Sequence, residues 1–166
     1  RLGYDGKGQR VLRTAEDIEP AWRALGSAPL ILESFVPFER EVSILAVRGR
    51  DGSTAFYPLV ENHHRDGILR LSRAPCLAPE LEQKGWGYAR RLLDRLNYVG
   101  LLVVEFFVQD GDLTANEIAP RVHNSGHWTI EGAETSQFEN HVRAICGLPL
   151  GDTGLAARAV EMRNLI

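Results

Sequence analysis

The chain has no long apolar run, almost no sulfur and no surplus of either charge. Its 166 residues include one methionine and two cysteines. No apolar stretch approaches the roughly 20 residues that a bilayer-crossing helix requires, so no membrane partner is expected. A net charge of -3 gives no electrostatic footing for nucleic acid. Cys76 and Cys146 lie far apart with no ligand-like spacing. Buried free thiols in a cytoplasmic protein are therefore expected, rather than a disulfide or a zinc knot. Neither a signal nor a transit peptide opens the chain. It starts without methionine, directly on a glycine-rich loop, as a piece of a longer protein would. Internal repeats and low-complexity segments are absent as well.

What is present reads as alternating hairpins and helices. TAEDIEPAWRALG (residues 14–26) has Thr14 as a cap, Asp17 three residues on and Gly26 as a stop, the pattern of a short helix. LILESFV (30–36) is an apolar, β-prone run that Pro37 breaks. EVSILAVR (41–48) and TAFYPLV (54–60) flank an Asp-Gly pair and predict a hairpin. A second Asp-Gly, at 66–67, precedes the short strand ILRL. Helical spacing runs from Glu80 to Leu96, weakened by Gly85 and Gly87. GLLVVEFFVQ (100–109) predicts a buried strand that Asp110-Gly111 turns back into LTANEIA. Ser136 and Glu139 form a capping box for FENHVRAIC, which places Phe138, Val142 and Ile145 on one face and ends at Gly147. The fold class implied is α+β with a largely antiparallel sheet and packed helices.

One charge interrupts the 100–109 strand. A buried carboxylate without a partner costs several kcal/mol or gives up its charge, so Glu105 requires a reason. With a turn centred on Gly111, Glu105 and Glu117 are equidistant from it and face each other. Opposed residues have Cβ atoms about 4.5–5.5 Å apart, a distance at which like charges repel. A divalent cation reverses that sign, and Asn116 lies beside the second carboxylate. A pair of arginine partners or a solvated edge would also explain two such glutamates. A slip of one residue would place them on opposite faces.

Two loops add further polar groups. GYDGKGQ (3–9) has three glycines around Lys7, which suits the approach of backbone N–H groups to phosphate oxygens. It is not followed by the GKS or GKT of a Walker loop. ANEIAPRVHNSGH (115–127) packs two asparagines, a glutamate, an arginine and two histidines directly after a strand.

Together these segments, with ESFVPFEREVS (33–43) and FYPLVENHHRDGIL (56–69), resemble the ATP-grasp family. Within it they resemble the 5-(carboxyamino)imidazole ribonucleotide synthases of purine biosynthesis. NEIAPRVHNSGHWT (116–129) is the most specific segment, because other ATP-grasp enzymes share the acidic pair but not RVHNSGH. The resemblance runs to about Leu150 and implies a ligase that uses ATP and Mg2+ to carboxylate 5-aminoimidazole ribonucleotide with bicarbonate.

Carried over to this sequence, the resemblance assigns Gly3, Tyr4, Asp5, Gly6, Lys7, Gly8 and Gln9 to the loop over the ATP phosphates. Tyr4 and Asp5 would also face the ribonucleotide. Glu33, Ser34, Phe35 and Val36 would be the hinge strand at the adenine, Glu41 would bind the ribose hydroxyls, and His64 would contact the nucleotide. Glu105 and Glu117 would hold magnesium with Asn116 alongside. Arg121, His123 and Asn124 would line the reacting centre, with His123 either a base for the amine or a hydrogen-bond donor. His63 and His141 are expected to be structural or superficial, as His127 also can be. Trp128 is expected in the core, and Arg90, Arg91 and Arg95 on a solvated helix face.

Residues 1–28 would end the small ATP-grasp subdomain, 29–150 form the large one, and 151–166 link to a further domain. The family's N-terminal α/β domain, its upstream phosphate-binding lysine and its small C-terminal domain are not in this sequence. These residues alone are therefore expected to be inactive, and the full-length protein to be a homodimer. Leu2 stands where the family usually has another glycine. A glycinamide ribonucleotide transformylase, a biotin-carboxylase-like ligase and a non-catalytic nucleotide-binding module are the competing possibilities.

Overall fold

The structure is a computed structural model that describes residues 8–26 and 29–165. Contacts divide them into two units. One runs to Val36 and includes the hairpin tip His64–Ile68; the other comprises Pro37–His63 and the chain from Leu69 onward.

In the first unit, a 3-10 turn at Ala15–Asp17 leads into α1 (Ile18–Ala24). The Asp17 carboxylate accepts bonds from the backbone N–H groups of Arg13 (2.8 Å) and Thr14 (2.9 Å), and these bonds lower its pKa. The expected helix is therefore present in two pieces. The strand expected at residues 30–36 is not: residues 29–38 have no regular structure, and Leu32 and Phe35 are exposed. A strand exists by pairing, and no described strand pairs with this run.

The second unit is organised by β1 (Arg40–Arg48). On one side it pairs antiparallel with β2 (Thr54–Phe56) and with β3 (Val60–Arg65). TAFYPLV thus makes two strands with a break between them, because Pro58 has no N–H to give to the ladder. The Asp66-Gly67 turn, with φ of 56° and 75°, leads into β4 (Ile68–Ala74). On its other side β1 pairs along its whole length with β5 (Gly100–Gln109), which pairs with β6 (Asp112–Ala119). The final strand, β7 (Val160–Arg163), pairs with β4, so part of the segment expected to be a linker is sheet. The strand order is β6-β5-β1-β3-β4-β7.

Helices cover the two faces of the sheet unequally. α2 (Pro79–Arg95) lies on one face and buries Leu81, Gly85, Ala89 and Leu93 at four-residue intervals against Ile44, Leu102, Val104 and Phe106. Its outward arginines are not merely solvated: Arg90 lies 5.1 Å from the Phe56 ring centroid and Arg91 4.7 Å from that of Tyr88. The other face carries Leu45, Val47, Leu101, Val103 and Trp128. It is covered in part by α3 (Thr129–Gly132) and α4 (Gln137–Cys146).

α4 is capped as expected, with Ser136 Oγ accepting from Glu139 N at 3.1 Å and Gly147 left-handed at φ 71°. Its orientation is the reverse of the expected one. Gln137, Asn140 and Ala144 face inward, while Phe138, Val142 and Ile145 are exposed. Burying two amides is tolerable because each is bonded. Asn140 donates to Tyr57 Oη (2.9 Å) and accepts from Gly151 N (2.8 Å), and the Tyr57 hydroxyl donates to Thr135 O (2.9 Å). Of the two free cysteines, Cys76 is buried as expected, but Cys146, the last residue of α4, is exposed. No helix among the described residues is long and apolar enough to cross a membrane.

The α2–β1 contact is close enough to test. A Cβ on Gly85 would lie 2.6 Å from Ile44 Cγ1, so Gly85→Val is expected to cost about 1–3 kcal/mol through overpacking. Denaturant midpoints would measure it, and an unchanged midpoint would mean that the helix lies farther from the strand.

Candidate active site

Alternation along the strands places Glu41 and Ser43 of β1, Glu105 and Phe107 of β5, and Glu117 of β6 on the same face as Leu45 and Val103. One half of that face is apolar and lies under Trp128 and α4. The other half carries these polar groups.

The two carboxylates meet as expected, but by a different route. The Asp110-Gly111 turn has two residues at φ 50° and 71°, the type I′ geometry that matches strand twist. Its register runs Gln109↔Asp112, Val108↔Leu113, Phe107↔Thr114 and Phe106↔Ala115. Continued unbroken, it would set Asn116 opposite Glu105. The ladder shifts there instead, and Glu105 pairs with Glu117. Asn116 is the extra residue of a β-bulge, so two residues oppose one. The bulge gathers three oxygen-bearing side chains at one register position. Two carboxylates and an amide leave an octahedral ion room for phosphate and water oxygens, the coordination magnesium favours. The donor set fits that ion.

Next to this position stands His123. Its Nδ1 lies 3.7 Å from Glu105 Oε1 and 2.9 Å from Ser125 Oγ, and both side chains of the His123–Glu105 pair are largely buried. His123 caps the 3-10 turn Asn124–Gly126. From α4, Gln137 holds its main chain: Oε1 accepts from His123 N (3.0 Å) and Nε2 donates to His123 O (2.8 Å). Asn124 Oδ1 accepts from Asn164 Nδ2 (3.1 Å), which also donates to Leu69 O (2.9 Å).

The structure thus brings together Glu105, Asn116, Glu117 and His123, with Asn124 following in the same turn. Glu41 shares their face, half-buried, two residues before Ser43. Arg121 is exposed and donates to Val122 O (3.0 Å). Glu33, Ser34 and Phe35 are exposed, Val36 is half-buried, and none lies in a strand. His64 is exposed in the hairpin tip. Of the glycine-rich loop, Gly8 and Gln9 are exposed, while Gly3, Tyr4, Asp5, Gly6 and Lys7 lie outside the described residues.

Trp128 is core, as expected, and His141 is structural, its Nδ1 accepting from Leu101 N at 3.0 Å. His63 pairs with Glu61 at 2.9 Å. His127 packs against Phe138, and burial lowers its pKa.

Further polar residues on this face lie outside the set assigned from the motifs of the sequence. Asn62 donates to Ser43 Oγ (3.0 Å) and accepts from Ser72 Oγ (2.8 Å), which makes a buried chain across β1, β3 and β4. Ser43 carried the same signal as Glu105, a polar residue within an apolar strand. Nothing in the sequence marked Gln137.

The model of the ATP-grasp domain matches residues 1–138. The chain belongs to the ATP-grasp family. It is 64% identical over 165 residues to the N5-carboxyaminoimidazole ribonucleotide synthase of Pseudomonas aeruginosa, covering 99% of this chain and 45% of that protein. The solved N5-carboxyaminoimidazole ribonucleotide synthetase of Thermus thermophilus matches with a TM-score of 0.88 at 60% identity, covering 93% of this chain and 43% of the other. The Aspergillus clavatus synthase, solved with ADP and 5-aminoimidazole ribonucleotide, matches at 0.83 and 37% identity, over 91% and 41% of the two chains. The chain therefore spans less than half the length of these relatives, and the ATP-grasp assignment agrees with the α+β, mainly antiparallel architecture.

The bulge gives a clean test. Deleting Asn116 keeps Glu117 opposite Glu105 while making the ladder regular. The shortened chain is expected to fold as the parent does but to bind magnesium–nucleotide about tenfold more weakly, in the range seen when groups supporting a metal are removed. Calorimetry would measure this, and unchanged affinity would show that Asn116 has no part in the metal position.

Proposed function

We propose that this chain carries the nucleotide and metal half of a ligase that carboxylates 5-aminoimidazole ribonucleotide with bicarbonate at the expense of ATP, in purine biosynthesis. The observation that carries this proposal is the bulged position Glu105–Asn116–Glu117, with His123 at 3.7 Å from Glu105. Its support is the identity to synthases of that name.

Bicarbonate is a poor electrophile until one of its oxygens attacks the γ-phosphorus of ATP and ADP leaves. The resulting carboxyphosphate is then attacked at its carboxyl carbon by the exocyclic amine of the ribonucleotide, and phosphate departs. Magnesium held by Glu105 and Glu117, with Asn116 alongside, would offset charge on the transferring phosphoryl group.

The chain's own residues supply position. Glu41 is assigned to the ribose hydroxyls, residues 33–36 to the adenine and His64 to the nucleotide. Arg121 suits a bidentate grip on a carboxylate or phosphate. His123 is assigned to the carboxyl donor, since its ring is fixed by Ser125 and lies beside the metal position. Asn124, fixed by Asn164, is assigned to the ribonucleotide. Gly3, Tyr4, Asp5, Gly6, Lys7, Gly8 and Gln9 are assigned to the phosphates, Tyr4 and Asp5 also to the ribonucleotide. A cytoplasmic location, small-molecule partners and a homodimeric full-length protein complete the proposal.

Two measurements test it. Calorimetric titration of ATP into this chain is expected to show magnesium-dependent binding that Glu105→Gln and Glu117→Gln each abolish. Variants that bind as the parent does would make the glutamates structural. In the full-length protein, ADP release is expected to require both 5-aminoimidazole ribonucleotide and bicarbonate, and Arg121→Ala to lower kcat by about 10²-fold. Turnover with glycinamide ribonucleotide and formate instead would overturn the substrate assignment.

A further inference from the structure

We propose that Gln137 is a positioning residue for the carboxylation step, acting through His123; this rests on the assignment of His123 to the carboxyl donor. Gln137 is fully buried, so it touches no substrate. Its side-chain amide forms two bonds to a single residue, accepting from His123 N at 3.0 Å and donating to His123 O at 2.8 Å. That is the bonding a neighbouring strand would offer, supplied here by a side chain to an isolated loop residue. Clamped on both sides, the His123 main chain has little freedom to turn, and its ring is held near Glu105 and Ser125.

The far end of the same turn is tied to the same glutamine. Gln137 N donates to Thr129 Oγ1 (2.9 Å), and that hydroxyl donates to Gly126 O (2.6 Å). A Cβ on Gly126 would overlap both Leu45 and the Gln137 amide, so turn and clamp fit without spare room. Bonded buried networks of this kind rigidify what they hold. A misplacement of about 1 Å in a reacting group can cost on the order of 10²-fold in rate. A helix start that needed only capping has Ser136 for it. The two bonds to His123 are in addition.

The test is a double-mutant cycle in the full-length protein. Gln137→Met preserves length and removes both bonds; Gln137→Glu keeps an acceptor and loses the donor. Gln137→Met is expected to lower kcat between about 10- and 100-fold with KM for ATP within about twofold, and Gln137→Glu to fall in between. Added to His123→Ala, Gln137→Met is expected to cost less than about a further twofold, because both act through one ring.

Asn140→Ala is the structural control: it removes a buried amide of the same helix that bonds to Tyr57 and Gly151. It is expected to lower the melting temperature and leave kcat unchanged. If Gln137→Met does not fold, Gln137→Glu carries the test. Losses that multiply in the double variant would overturn the proposal. So would a Gln137→Met kcat within about twofold of the parent while His123→Ala is impaired. An unimpaired His123→Ala would instead overturn the assignment of His123 itself, a separate result from either of these.

Discussion

The bulge at Asn116 determines what meets Glu105. A regular ladder can offer one side chain per partner at each position, and here one position presents an amide and a carboxylate to a second carboxylate. Two like charges opposed on a sheet are unfavourable. The strands behind it give the bulge a fixed frame: β6 pairs with β5, β1 is bonded along its whole length to β5, and apolar residues of β5 pack on both faces. The pair β1–β5 is thus the base on which a local irregularity sets Asn116 and Glu117 opposite Glu105.

The same pair separates packing from chemistry. The centre of its α2-facing side is apolar, from Val42 to Ala46 and from Leu102 to Val108, and is closed by a helix that approaches at Gly85. Its other side changes character along the strands, from Leu45 and Val103 under Trp128 to Ser43, Glu105 and Glu41 beyond them. Buried polar groups on that side are bonded to each other in the Ser43–Asn62–Ser72 chain. This limits the cost of removing them from water and gives the polar half a defined geometry.

Much of this was legible in the sequence, and where it failed the reasons are physical. Asp-Gly pairs at 66–67 and 110–111 specify type I′ turns almost unaided, because few other residues accept two positive φ values in succession. The Glu105–Glu117 pairing followed from symmetry about Gly111, yet the turn is centred between Asp110 and Gly111, and the bulge restored the pairing. A bulge has no sequence signature as strong as a turn, so agreement there was partly a coincidence of two half-steps. The apolar stripe of α4 suggested an inward face, but the buried side is the one whose amides find partners in Tyr57, Gly151 and His123. Residues 30–36 have strand composition without strand structure, since pairing depends on a neighbour and not on propensity alone.

Gln137 shows the same limit from the functional side. Its neighbours in sequence suggest a helix start, and its environment is a loop fourteen residues earlier in the chain. Sequence patterns report what a residue does for its own element: Ser136 caps, Gly147 stops. They are silent on bonds sent to another element, which only the packing of α4 against the sheet creates. A site of this kind is therefore read in two stages. Polar residues in apolar strands stand out, whereas the groups bonded to them from other elements become visible only once the helices are in place.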